Sequence, residues 1–369
     1  MRICLICAEF FGWGSNGGFG YATRVIGREL ALRGVEVFAV VPKPSADERS
    51  KLELDGVSVI GIPRTKPFFA AEIYKDIDAD IYHSQQPSLA SWVAKRSTPG
   101  KLHVSTLRDP RSSRDWLQEF RHPTHSKIRL AKTWIYYENT LARAAIRSMD
   151  ALYVPAHYLA HKSQGLYGLK SPPQYMPTPV EVPDTASKAE RPTVCFVGRW
   201  DRVKRPNIFF DLAPQFPEVD FIAIGRAHDK SFEAELRTSY AGQPNLNLVG
   251  YIDQFSSNDL AAYLEKSWVL VNTSAKEALP NTFVEAAANR CAILSALDPD
   301  DFASRFGYKV TDGNYAAGLN HLLTQDRWRL LGELGYQYVA ENNTLDIATD
   351  KHISEYERLL SKGSVKGVL

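Results

Sequence analysis

Short apolar runs alternate with longer stretches of mixed polarity from the first residues onward. Arg2 to Ala8 reads as a buried strand and Tyr21 to Leu32 as a helix ending near Gly34. Val35 to Val41 is a second strand, stopped by Pro42 and Pro44. Val57 to Ile62, Ile81 to Ser84 and His103 to Leu107 continue the series. Continuous apolar runs bounded by turn residues, with helices between them, are the pattern of a parallel sheet with crossover helices. A helical region from about Trp116 to Met149 interrupts before Ala151 to Val154 resumes the strand pattern.

The texture then changes. Pro172, Pro173, Pro177, Pro179, Pro183 and Pro192 exclude helix and central strand across this stretch, whose end reads as an interdomain linker. A second series follows: strand Thr193 to Val197, helix Pro206 to Leu212, strands Asp220 to Gly225 and Leu246 to Gly250, helix Ser257 to Lys266 and strand Val269 to Asn272. A further helix and strand Ala292 to Leu294 close it. Two strand–helix series in tandem predict an α/β protein of two Rossmann-like domains. Their parallel sheets would face across a cleft where the carboxyl ends of both sets of strands meet. The expected boundary lies at 184/185.

A chain of 369 residues is too long for one ordinary core, which agrees with two domains. A net charge of +2 and a pI near 8.2 give no general argument for nucleic acid. No apolar run is long enough to span a bilayer, and Glu9 cuts the first apolar run short, so the start reads as a strand and not as a signal peptide. Cys4 and Cys7 have the spacing of a metal pair, but residues three apart in a strand point to opposite faces. Cys195 and Cys291 have no partner at ligand spacing, so buried, reduced thiols and a cytoplasmic enzyme are expected.

The most informative run is Lys276-Glu-Ala-Leu-Pro-Asn-Thr-Phe-Val-Glu285-Ala-Ala-Ala-Asn289. Glu277 and Glu285 lie on either side of a small loop and a helix start. Thr282 with Glu285 reads as a capping box. The turn through Leu279, Pro280, Asn281 and Thr282 would leave backbone N–H groups, none of them from Pro280, free at the positive end of that helix, a ready anion site. On the residues alone, a helix cap plus a solvated loop acid fits equally well. A second run, Gly198-Arg199-Trp200-Asp201-Arg202-Val203-Lys204-Arg205, directly follows a strand. Gly198 permits a tight turn, after which Arg199 and Lys204 would bring two cations near one point; a solvated basic loop is the alternative. At the front, Ser15-Asn16-Gly17-Gly18-Phe19-Gly20 leads into a helix, but Thr23 stands where a dinucleotide fingerprint has its third glycine. Asp298-Pro299-Asp300 is an isolated match to a metal-binding triplet and is read as a loop, so no metal site is expected.

Glu277 to Ala286 resembles the Glu-x7-Glu signature of retaining nucleotide-sugar glycosyltransferases of the GT-B fold, glycosyltransferase family four. Gly198-Arg199…Lys204 resembles that family's phosphate clamp, Gly17-Gly18 its front loop, and Asp80-Ile81-Tyr82-His83 a strand end found in it. The resemblance spans most of the chain in order, although only the Glu pair and the clamp are specific. It implies a hexose moved from a nucleoside diphosphate sugar, UDP first and GDP second, with no cofactor or divalent metal required. Glu277 would face the transferred sugar, Glu285 the ribose, and Arg199 with Lys204 the diphosphate. Gly17 and Gly18 would lie near donor phosphates, and Tyr251 and Ile252 near the base. It also implies that the last helix, about 347–369, returns to the first domain, leaving 185–346 as the donor side and 1–184 as the acceptor side.

One position departs from the family. Arg108, in Thr106-Leu107-Arg108-Asp109, stands where a His is usual, and an arginine cannot serve as a base. Arg108, Asp109 and His83 are therefore candidates for sugar or acceptor contact only. The acceptor itself (glycan, lipid or small molecule) is open. Residues 108–147 hold nine basic against four acidic side chains, interleaved with Trp116, Phe120, Trp134, Tyr136 and Tyr137. That mixture suits an anionic acceptor or the inner face of a membrane, or simply a helix with one solvated face. A sugar-nucleotide epimerase or hydrolase on the same scaffold, and a non-catalytic module for anionic polymers, are the competing functional readings.

Overall fold

The computed structural model describes residues 1–13, 17–43, 50–63, 66–124 and 126–366, and Ser15 and Asn16 of the front loop fall outside them. It divides into two compact units. The first comprises 1–110, 131–179 and 345–369, the second 111–130 and 180–344.

The first unit is built on strands β1 (Arg2–Ile6), β2 (Glu36–Pro42), β3 (Lys51–Leu54), β4 (Val57–Ile62), β5 (Ile81–Ser84), β6 (Leu102–Thr106), β7 (Ala151–Val154) and β8 (Gln174–Tyr175). Their order in the sheet is β3-β4-β2-β1-β5-β6-β7-β8, all parallel except β3 against β4. The β3–β4 hairpin is absent from the sequence reading. Its turn uses Asp55 and Gly56, both at positive φ, the pattern that a tight two-residue hairpin requires. The alternation of β1 sends Ile3 and Leu5 into one core cluster and Cys4 and Ile6 into the other, so the sheet is buried on both faces. Cys4 and Cys7 lie in opposite clusters, and all four cysteines are buried and unpaired.

The helical region after β6 is three helices, Ser113–Arg121, Lys127–Glu138 and Thr140–Arg147. Pro123 prevents continuity at the first break, and Asn139 caps the third helix through the Ala142 N–H at the second. The first of them belongs with the second unit, a difference from the boundary read in the sequence. There Glu119 meets Lys276 at 3.6 Å and Arg111 at 3.9 Å. The helix Leu345–Lys366 belongs with the first unit and inserts Tyr356 and Leu359 into its core.

The second unit carries β9 (Thr193–Val197), β10 (Asp220–Ile224), β11 (Leu246–Gly250), β12 (Val269–Asn272), β13 (Ala292–Ser295) and β14 (Gly307–Lys309). The sheet order is β11-β10-β9-β12-β13-β14, parallel throughout. Val194 and Phe196 pack on one face and Cys195 with Val197 on the other. Helices Lys230–Ser239, Tyr315–Leu323 and Arg327–Asn342, not separated in the sequence reading, cover this sheet; the first two start at side-chain caps from Asp229 and Asn314. No described helix is long and apolar enough to cross a membrane.

Candidate functional site

The candidate residues of the second unit gather where β9, β10, β11 and β12 end. The Gly198 N–H donates to the Ile224 carbonyl at 3.0 Å and the Gly225 N–H to the Gly250 carbonyl at 2.7 Å, so three strand ends are drawn together. Gly225 has φ +140°, and a Cβ there would stand 1.8 Å from the Gly198 carbonyl oxygen. Only glycine fits this approach. Beyond β11, Tyr251 is 38% exposed and lies beneath the Arg226 guanidinium, 4.3 Å from the ring centre, while Ile252 packs on the core.

The turn after β9 is laced to the exit of β12. The Thr273 hydroxyl lies 2.7 Å from the Lys204 carbonyl and 2.9 Å from that of Arg205, and the Ala275 N–H donates to the Val203 carbonyl at 2.8 Å. Arg205, left-handed at φ +49°, donates from its guanidinium to the carbonyls of Thr273 (2.6 Å) and Ser274 (3.1 Å). A non-glycine residue in that conformation costs roughly 1 kcal/mol or more, which these bonds offset. The lacing aims Lys204 at Glu277. The two form an ion pair, and Glu277 also accepts from the Ser274 hydroxyl at 2.8 Å. Both side chains are mostly enclosed, at 19% and 15% exposure.

Arg199 belongs to a different cluster. Its guanidinium lies 3.4 Å from Asp201 and 3.2 Å from the His228 ring, and the buried Asp201 also accepts from the His228 N–H at 3.0 Å. Burial would raise the Asp201 carboxyl, but hydrogen bonds from His228 and the charge of Arg199 outweigh it and hold the carboxyl below its ordinary range. Lys204 and Glu277 are thus brought into contact, whereas Arg199 is anchored separately and is half exposed. Asp201, His228, Thr273 and Ser274 were not singled out from the sequence. None carries a motif, and only the folded strand ends bring them in.

The helix Asn281–Ala288 corrects one expectation. Its N-cap is Pro280, no side chain caps it, and Thr282 lies inside the first turn, not before it. The capping box is therefore absent, because the helix starts at Asn281, two residues earlier than a Thr282 cap would have it. Leu279 packs on the core ahead of it, and the Thr282 N–H lies where no acceptor exists within the helix. Released from capping, Glu285 points inward. It is 8% exposed, its Oε2 meets no hydrogen-bond partner among the described residues, and burial pushes its carboxyl up to about 7.

In the first unit, Gly17 is the N-cap of helix Gly18–Leu32, and a Cβ on it would stand 2.4 Å from the Glu9 carboxylate. His83 is wholly buried. Its Nδ1 meets the Tyr356 hydroxyl at 2.6 Å and its Nε2 the Thr106 hydroxyl at 2.8 Å, and burial holds it neutral. With both nitrogens engaged it is a structural group, which corrects its candidacy for substrate contact. Arg108 and Asp109 are also buried, at 4% and 8% exposure, with the backbone N–H of each donating to the Gln86 side chain. Among the described residues no group of His, Cys, Asp or Glu is placed to hold a metal ion.

Residues 179–299 match the family model described as "Glycosyl transferases group 1". No curated protein sequence matches the chain significantly. Solved structures do match over nearly the whole length. The sucrose-phosphate synthase tll1590 from Thermosynechococcus elongatus shares 20% identity, with 98% of this chain and 99% of that one covered and a TM-score of 0.77. Anabaena Alr3699/HepE, solved in complex with UDP-glucose, shares 14%, covering 98% and 100%, at 0.71. WaaG, a glycosyltransferase involved in lipopolysaccharide biosynthesis, shares 15%, covering 95% and 98%, at 0.67. These likenesses establish the fold as GT-B.

Proposed function

We propose that this GT-B chain is a retaining glycosyltransferase that moves a hexose from a nucleoside diphosphate sugar to an acceptor hydroxyl without a metal. UDP is the favoured donor base and GDP the second. The match of residues 179–299 to the group 1 glycosyltransferase model supports the reaction class, and the UDP-glucose held by the HepE structure is consistent with the donor. The observation that carries the reading is the state of the two carboxylates. Glu277 is held by a cation, and Glu285 is buried with an oxygen that meets no donor. A buried acceptor without a donor is costly, and a ribose supplies two hydroxyl donors.

In this reading the donor's diphosphate lies near Lys204 and the first turn of Asn281–Ala288, with Arg199 as a second positive group. The bond from the sugar's anomeric carbon to the phosphate oxygen breaks, and its electron pair stays on the diphosphate. Fixed positive charge at that oxygen lowers the barrier because it costs no reorganisation during reaction. The acceptor oxygen joins the anomeric carbon on the face that the diphosphate leaves, and its proton passes to a diphosphate oxygen. No protein nucleophile is needed, so the buried, neutral His83 is no obstacle. Glu277, paired with Lys204 in the free protein, would take the sugar's hydroxyls once the lysine turns to the phosphate.

Peripheral membrane contact is a second element of the proposal. No residue of helix Lys127–Glu138 is buried, and Ile128, Trp134 and Ile135 are exposed beside Lys127, Arg129 and Lys132. Sedimentation with vesicles rich in anionic lipid should carry the chain down in a salt-sensitive way; recovery in the supernatant at low salt would remove this element. The reaction class is tested by incubating the full chain with labelled UDP-glucose and GDP-mannose, with and without a mixed acceptor pool. Label transferred only with acceptor, and undiminished by EDTA, is expected. Donor turnover without acceptor would favour the epimerase or hydrolase alternative, and no donor binding would overturn the reading.

A further inference from the structure

Arg108 is a buried charge of the first unit with an unmet donor. It follows β6, Gln85 follows β5 and Cys7 follows β1, so the three sit at the carboxyl ends of neighbouring strands, the edge where α/β sheets take ligands. The guanidinium donates to Gln85 Oε1 at 2.7 Å and to the Thr178 hydroxyl at 3.3 Å, both neutral. Among the described residues its Nε meets no partner, and neither does the Nε2 of the same Gln85. Two buried donors without acceptors therefore belong to a single hydrogen-bonded pair.

Among the described residues, no ionised carboxylate acts on Arg108. The titratable groups acting on Arg108 are the Cys7 thiol and the Tyr356 hydroxyl, both pushed up by burial and so neutral. His83 and His352, which feel the Arg108 charge, are held neutral by burial as well. Burial alone draws Arg108 down to about 10, so it stays cationic at neutral pH. A buried cation that pairs with no carboxylate is expensive to keep, and proteins retain one where a ligand completes it.

We infer that Arg108 and Gln85 form an anion-recognition site in the first unit, and that the acceptor carries the phosphate or carboxylate it holds. The assignment to the acceptor rests on the glycosyl-transfer reading; the site itself does not. Guanidinium with a free Nε–H is suited to either oxyanion, and a neighbouring amide N–H adds a third donor direction. An uncharged hexose offers no charge to offset the buried cation.

The test uses the full chain, nitrogen-15 labelled, with the Arg108 Nε–H resonance identified by its loss in Arg108→Gln. Inorganic phosphate, a hexose 6-phosphate, a hexuronate and an uncharged hexose are titrated separately without nucleotide. The resonance should move with the phosphate-bearing probes, with the hexuronate, or with both, and not with the neutral sugar; the arm that responds at the lower concentration names the group. A second variant, Gln85→Glu, places a carboxylate against Arg108 from within the chain. It should raise Tm and weaken anion binding at least tenfold. An Arg108 resonance unmoved by every anion, together with a Gln85→Glu chain no more stable than the parent, would overturn the inference. UDP binding measured separately by calorimetry keeps the two ideas apart, since it can persist when Arg108 is silent and can fail when Arg108 responds.

Discussion

At the scale of single residues, Glu285 makes the sharpest prediction. Its carboxyl is raised from 4.5 to about 7 by burial, so ionisation is disfavoured in the folded chain. Below pH 4.5 it is protonated whether folded or not, and costs nothing. As pH rises from there to about 7 the unfolded chain ionises first, and the native state loses up to roughly 3 kcal/mol from this group. Glu285→Gln should therefore gain stability relative to the parent across that window and stay parallel above it, as denaturant melts at stepped pH would record. A donor's hydroxyls favour the ionised form, so nucleotide binding near pH 6 should release a proton, visible as a buffer-dependent heat. Lys204→Ala removes the cation proposed at the leaving diphosphate and should lower turnover by about 100-fold; near-normal turnover would remove that role. The sequence marked Glu277, Glu285 and Lys204 because the runs that hold them resemble family motifs; the residues alone left a helix cap and solvated loops open. It could not mark Asp201 or His228, since their partnership exists only once β9 and β10 lie side by side. Nor could it show that Thr282 misses the cap, which falls two residues earlier at Pro280.

At the scale of elements, strands were legible and many helices were not. Val57–Ile62, Ile81–Ser84, Ala151–Val154 and Val269–Asn272 stand where the apolar runs begin and end, because strands inside a parallel sheet covered on both faces are mostly apolar. Helices such as Lys230–Ser239 bury little beyond Leu236, so their periodicity is faint. The β3 hairpin, an edge with alternating half-buried residues, was equally faint. What positions the site at this scale is the stitching of the β9 turn to the β12 exit. Thr273→Val removes the hydroxyl that reaches two carbonyls and should cost about 1–3 kcal/mol. It should also loosen Lys204 against Glu277, raising KM for donor beyond what the stability loss explains. Steady-state kinetics well below Tm would separate the two effects. Gly225→Ala, forced onto the Gly198 carbonyl, should be worse in both respects.

At the scale of the whole molecule, the chain crosses between units more than once. Residues 111–130 leave the first unit to pack with the second, and 345–369 return to the first. Apolar texture revealed two units and the proline-rich passage between them. The excursion at 111–130 meets the rest of the second unit through the ion pair of Glu119 with Lys276, which leaves no periodic trace. Because Tyr356 and Leu359 fill the core of the first unit, a chain ending at Thr344 should lose cooperative melting of that unit and all transfer. It should still bind nucleotide through the second unit. The central claim is that the second unit grips a nucleoside diphosphate between Lys204 and the otherwise unmet carboxylate of Glu285. Calorimetric titration of UDP into the full chain, its Lys204→Ala variant and its Glu285→Ala variant tests this most directly. Saturable one-to-one binding weakened at least tenfold by each substitution is the predicted result. Equal binding by all three chains, or none by the parent for UDP or GDP, would contradict it.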